Sequence, residues 1–184
     1  MNKTDLSSFN NDWYRPGSKI KRFFWYFFNV FFLINPCNPF SGLKIFVLRM
    51  FGAKIGKGVC IKQRVNIKYP WNLEIGNNVW IGEMVWIDNL ADVRLEDNVC
   101  LSQGAMLLCG NHDYRKTSFD LIVRPIILEE GVWIGARSVV CPGVMARSHA
   151  LLTVNSVATG HLEPYSIYQG NPAVKIRERK INES

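Results

Sequence analysis

The chain has 184 residues, 48% of them hydrophobic, and a formal charge of +7, which suffices for one domain with a buried core and excludes a wholly disordered polypeptide. Nine of the 22 Lys and Arg but only two of the 15 Asp and Glu lie in residues 1–57, so the whole excess is N-terminal and residues 58–184 are formally neutral. That neutrality argues against a duplex-binding face on the larger part, and no nucleic-acid partner is expected.

Residues 1–54 read as a basic, aromatic helical arm. Met1 to Asp12 is mostly polar and carries no cleavable leader, and the five cysteines form no CxxC pair, so a reduced cytoplasmic setting is expected. Residues 23–34, FFWYFFNVFFLI, follow Lys19, Lys21 and Arg22 and end at Asn35-Pro36. Twelve apolar positions are too few for a spanning helix, which needs about 20. Two readings stay open for residues 15–35: a helix packed on the rest of the chain or on a neighbouring subunit, or peripheral contact with the anionic inner membrane. A second helix is expected from Leu43 to Phe51, with Leu43, Phe46, Val47 and Met50 on one stripe and Gly52 as its stop.

From Ile55 the period changes to six. Ile55, Ile61, Ile67; Ile75, Ile81, Ile87; Leu95, Leu101, Leu107; Leu128, Ile134, Val140; and Ala146, Leu152, Ala158 form five triplets, and Val59, Val65, Val79, Val85, Val99 and Ala105 add a second small apolar row. Six matches neither the 3.6 of a helix nor the 2 of a hairpin strand; it matches short strands joined at corners and stacked in coils. The expectation is a mainly β domain over residues 55–165, about five parallel β-helical coils stacked at roughly 4.8 Å, followed by a C-terminal tail over 166–184. The steps from Leu73 to Ile75 and from Val93 to Leu95 each add two residues and predict wider corners. Cys60, Cys100 and Cys141 adjoin core positions and read as packing.

The period breaks once. Leu107 and Leu128 are 21 positions apart, so about fifteen residues are inserted, and an inserted loop is expected over 108–127. At its root stands Asn111-His112-Asp113-Tyr114. His112 is the candidate general base: a neutral imidazole can take the proton of an attacking alcohol. A carboxylate or backbone carbonyl should fix its tautomer, and Asp113 and Asn111 are the supporting candidates. Cys109 raises a Cys/His nucleophile pair that the spacing does not favour. His149 and His161 carry no such context.

The stretches VWIGEMVWIDN, GNHDY, PIILEEGVWIGARSVVCPGV and YSIYQGNPAVKIR resemble the hexapeptide-repeat acetyltransferases. With NDWYRPGS, the aromatic arm, NPFSGLKIFVLRMFGAKIGKGV and RVNIKYPWNLEIG, the resemblance extends to the colanic acid biosynthesis acetyltransferase subgroup and covers nearly the whole chain. It implies a left-handed coil, a homotrimer with each active site in a cleft between neighbouring coils, and acetyl-CoA as cosubstrate for direct transfer to a sugar hydroxyl in exopolysaccharide or capsule synthesis, the carbohydrate acceptor being lipid-linked in one reading. His112 matches the family's base. Asp88, Asn89 and Trp133 match acceptor or cleft positions; Ala136, Val154, Thr159 and Gly160 match positions along the pantetheine arm, Gly160 departing from the usual basic residue. Lys175 and Arg177 match cations for the CoA phosphates, while Arg179 and Lys180 read as a solvated tail.

Two other classes compete. A non-catalytic repeat for membrane docking or assembly would bind no CoA. A zinc carbonic-anhydrase-like enzyme on the same coil needs about three converging imidazoles, and His112, His149 and His161 include no close pair, so no metal is expected.

Overall fold

The six-residue period closes into three parallel sheets because each coil spends one left-handed residue at each of two corners. At the first corner these are Gly58, Asn78, Asn98, Gly131, His149 and Tyr165; at the second, Arg64, Met84, Gly104, Arg137 and Asn155, all with φ near or above +48°. Residues with positive φ reverse the chain within a turn. Consecutive coils then align, and each strand pairs in register with the equivalent strand one coil away. The computed structural model describes residues 3–182.

One sheet stacks Lys54–Ile55, Leu73–Ile75, Val93–Leu95, Ile126–Leu128 and Met145–Ala146. A second stacks Cys60–Ile61, Trp80–Ile81, Cys100–Leu101, Trp133–Ile134 and Leu151–Leu152, and the third Asn66–Ile67, Trp86–Asp88, Met106–Leu108, Val139–Val140 and Val157–Ala158. The five triplets are therefore five complete coils. A sixth is begun by a bridge from Ala146 to Leu162 and by Ser166–Gly170, which pairs with Leu151–Leu152. Fourteen of the fifteen triplet residues are buried; Ile55, on the first coil, is half-buried. The wider corners exist: Pro70–Asn72 forms a 3-10 turn in one of them. Gly135 sits where a Cβ would lie 2.6 Å from the backbone nitrogen of Val154 on the next coil, so only glycine lets those coils approach.

The N-terminal arm covers the open end and one flank. Helix α1 spans Lys19–Phe28, continues as a π-helical segment Asn29–Ile34, and is followed by α2 over Ser41–Met50. Trp25 is buried and donates through Nε1 to the Ile67 carbonyl at 2.9 Å; Asn29 donates to Asn66 Oδ1 at 2.8 Å. The α2 stripe falls differently from its hydrophobic spacing. Lys44, Val47 and Leu48 face inward, whereas Leu43, Phe46 and Met50 are exposed. The reason is the unpaired edge of the first coil, which needs donors rather than methyl groups: Lys44 Nζ donates to the carbonyls of Ile61 and Lys62 at 3.1 and 2.8 Å, and Ser41 Oγ both donates to and accepts from Ile61 at 3.0 Å. Gly52, at φ +103°, terminates α2 as expected.

The inserted segment is more ordered than a loop. Gly110–His112 pairs antiparallel with Leu121–Val123, making a hairpin, and Ile126–Leu128 already belongs to the fourth coil. The final residues form a second hairpin, Ser166–Gly170 against Ala173–Glu178.

Candidate active site

His112 stands on the first strand of the inserted hairpin, where the chain leaves the third coil. Its ring lies flat against Phe119, with centroids 4.4 Å apart and planes 6° apart, and Phe9 closes the other approach at 5.6 Å. Nδ1 is 2.8 Å from the backbone carbonyl of Phe119. A carbonyl only accepts, so Nδ1 carries the hydrogen and the neutral ring presents its lone pair at Nε2. The Asn111 side chain accepts from the His112 backbone N–H at 2.8 Å and steadies the strand.

The expected partner Asp113 is occupied elsewhere. Its carboxylate accepts from the Arg115 backbone N–H at 3.1 Å and from Nε at 3.0 Å, and these hydrogen bonds hold its pKa below the ordinary carboxylate value. Asp113 lies just past the end of the strand, where its carboxylate folds back on Arg115 and not on the imidazole. Cys109 is fully buried and burial pushes its thiol up to about 12, so it is no thiolate nucleophile at neutral pH.

His112 opens into a cleft of about 790 Å³ that the sequence placed only in part. Asn111 and Asp88 line it, but so do Tyr14, Arg15, Lys19 and Arg22 from the N-terminal arm, with Lys68 and Tyr69 from the first coil. The sequence marks the arm as an anchor or packing element and carries little sign of its contribution to the cleft. The only sequence signal was the NDWYRPGS stretch, whose Tyr14 hydroxyl donates to the Leu90 carbonyl at 2.7 Å. Burial raises the Tyr14 pKa, reinforced by Tyr69 and Asp88, so the phenol keeps its proton. Asp88 meets Lys68 Nζ at 2.9 Å.

Asn89 is not in the cleft. It is buried, accepts from the Tyr69 N–H at 2.9 Å and donates to the Tyr69 carbonyl at 2.5 Å, so both ends of its amide are spent on stitching two corners together. Trp133 lies on the second sheet, 42% exposed, donating to Ser102 Oγ at 2.8 Å. Ala136 and Val154 lie near the second corner, and Thr159 and Gly160 follow the last strand of the fifth coil; none lines the His112 cleft within one chain. Lys175 is held between Glu163 and Glu178 at 2.8 and 2.6 Å, so its charge is already neutralised, while Arg177 is exposed. Arg179 is not a solvated tail residue: its guanidinium donates to the carbonyls of Gly131 and His149 at 3.0 Å each. Those carbonyls belong to corner residues that no strand partners. His149 packs its ring on Tyr165 at 4.7 Å, and His161 accepts from the Met145 N–H at 3.0 Å. Among the described residues no group of three metal-ligating side chains converges.

No family model matches the chain. A hexapeptide-repeat-containing acetyltransferase from Vibrio cholerae, solved with acetyl coenzyme A, superposes with a TM-score of 0.72 at 23% identity, covering 79% of this chain and 81% of that one. A maltose O-acetyltransferase from Clostridium difficile 630 gives 0.75 at 20% identity, over 89% and 90%. At such identities the likeness is one of fold. In sequence, the "putative colanic acid biosynthesis acetyltransferase WcaF" of Escherichia coli strain K12 is 33% identical over 176 residues, which is 95% of this chain and 97% of the relative. The chain belongs to the hexapeptide-repeat acetyltransferases. The WcaF relationship runs through the N-terminal arm as well as the coil, so the arm-lined cleft belongs to the matched region of this acetyltransferase.

Proposed function

We propose that this acetyltransferase transfers an acetyl group directly from acetyl-CoA to a hydroxyl of a sugar destined for exopolysaccharide or capsule, with His112 as general base. The observation that carries the reading is the Nδ1 contact to Phe119, which leaves the Nε2 lone pair for the acceptor. The hydroxyl donates to Nε2, its oxygen attacks the thioester carbonyl as the proton passes to the imidazole, and collapse of the tetrahedral intermediate expels the CoA thiolate, which takes that proton back. No acyl-enzyme is involved, in keeping with a protonated Cys109. The sugar chemistry is supported by the name of the maltose-acetylating structural neighbour and by the assignment of WcaF to colanic acid biosynthesis.

The reading includes a homotrimer. The cleft aromatic Trp133 and the positions Ala136 and Val154, which resemble part of the pantetheine track, lie on the second sheet or its following corner, away from His112, and Thr159 and Gly160 follow the third sheet two coils beyond it, so a neighbouring copy would bring the first three to it. Arg177 remains the better phosphate cation, since Lys175 is paired. The setting is cytoplasmic.

The test is acetyl-CoA turnover against a panel of hydroxylated sugars, with thermal stabilisation by CoA measured alongside. At 100 times its dissociation constant a ligand adds about 2.7 kcal/mol. Full activity in His112→Ala would remove the base from this mechanism, and absence of any CoA-dependent stabilisation would remove acetyl transfer.

A further inference from the structure

The strap of chain that leads into helix α1 covers one of its own side chains, and covers it against the candidate base. From Lys3 to Trp13 every residue is exposed except Phe9, which is half-buried. The Phe9 ring lies 5.6 Å from the His112 ring and is tilted 57° to it, whereas Phe119 is stacked parallel on the same imidazole. Phe9, Asn11, Asp12 and Tyr14 all line the His112 cleft, so the strap forms one of its walls.

Local turns shape this wall. Asp5 caps the 3-10 turn Leu6–Ser8, its carboxylate accepting from the Ser7 N–H at 3.0 Å and from the Ser7 hydroxyl at 2.6 Å. The Asn10 side chain accepts from the Asp12 N–H at 2.7 Å, and the Tyr14 N–H donates to the Asn11 carbonyl at 2.9 Å. Among the described residues, two hydrogen bonds tie residues 3–14 to the rest of the chain. The Asp5 N–H donates to the carbonyl of Thr117, in the turn of the inserted hairpin, at 2.8 Å, and the Tyr14 hydroxyl donates to the Leu90 carbonyl at 2.7 Å. Phe9 stands in sequence between the two ties. A segment held by two hydrogen bonds and one apolar contact opens readily while the coils stay folded.

We propose that residues 5–14 are a movable wall of the acceptor cleft and that Phe9 is a positioning residue for His112. Phe119 sets the tilt and the tautomer of the ring. Phe9 fills space into which the imidazole could swing off that stack, and so holds Nε2 on the acceptor hydroxyl. The acceptor enters with the strap open and is enclosed when Phe9 returns to the imidazole, which also keeps bulk water from the base during proton transfer. The positioning role rests on the reading of His112 as general base; the wall does not.

The test pairs steady-state kinetics with the rate at which diethyl pyrocarbonate modifies His112 in the full chain, read by mass spectrometry against exposed His161 as internal reference. Phe9→Ala is expected to speed modification of His112 and to lower kcat by about 2- to 12-fold, the range an aromatic pair accounts for, with the KM for acetyl-CoA and the Tm unchanged. Phe9→Tyr keeps the ring and should behave as wild type. Asp5→Pro removes the N–H that binds Thr117 while leaving Phe9 in the chain, and should reproduce both effects of Phe9→Ala. The double variant should be no worse than either single one, because both act through the one docked ring. Labelling and kcat that ignore Phe9→Ala would overturn the role of Phe9, and a lowered Tm with unchanged labelling would make it a packing residue only. Additive losses in the double variant would overturn the strap as the element that delivers it. Full activity in His112→Ala would remove the base and the positioning role with it, whereas faster labelling of His112 in Phe9→Ala would still uphold the wall.

Discussion

The imidazole of His112 lies parallel on the ring of Phe119 and gives its Nδ1 hydrogen to the carbonyl of that same residue. One residue, seven positions away across the hairpin, thus fixes both the tilt and the tautomer of the base. His112→Ala is expected to lower kcat by about 10² to 10⁴ with little change in the KM for acetyl-CoA. Phe119→Ala keeps the carbonyl but loses the stack, and a fall of roughly 2- to 12-fold is expected, the range that an aromatic pair accounts for. Steady-state kinetics on the two variants would show whether ring orientation matters; equal losses would place Phe119 in folding of the hairpin instead.

Asp113→Asn should leave kcat within about twofold, because its carboxylate bonds Arg115, itself well exposed, and not the imidazole. A loss as large as that of His112→Ala would mean the carboxylate turns to the imidazole during turnover.

Cys109→Ala should retain activity, and alkylation at neutral pH should spare Cys109 while modifying exposed Cys37. Mass spectrometry of the alkylated protein reads this directly. Acetyl trapped on Cys109 would restore the covalent route.

Asn89→Ala is expected to lower stability by roughly 1–3 kcal/mol, leaving the N–H and carbonyl of Tyr69 without their partner, and to leave the acceptor KM unchanged in protein that remains folded. Thermal melts paired with kinetics separate the two; a raised KM at unchanged Tm would return Asn89 to the acceptor site.

Lys44→Ala should cost roughly 1–3 kcal/mol by leaving the edge carbonyls of Ile61 and Lys62 unpaired. Burial lowers the Lys44 pKa in the folded chain, a shift opposed by Cys60, so the unfolded chain binds this proton more tightly and stability rises as pH approaches 10.5 from below. Denaturant titrations across that range should show the rise in the wild type and a flatter profile in the variant.

The coil was legible because its signal is local and periodic: Ile61, Ile81 and Leu101 each recur at a fixed distance from the neighbouring members of their triplets, and burying one row requires no knowledge of distant chain. The break at Leu107 likewise announced the hairpin and His112. Distant pairing was not legible. The Asp113 carboxylate bonds Arg115 in the turn that follows the strand, and Asn89 bonds Tyr69, which, twenty residues earlier, meets it only once the coils stack. Lys44 took a core place that spacing gave to Leu43, Phe46 and Met50, since the open edge of the first coil demanded hydrogen-bond donors. By itself, then, the sequence determined the repeat, the number of complete coils and the position of the candidate base. Only the tertiary structure decided that Tyr14, Arg22 and Lys68 share its cleft, because what brings them there is the docking of α1 through Trp25 and Asn29, a contact that no period in the chain encodes.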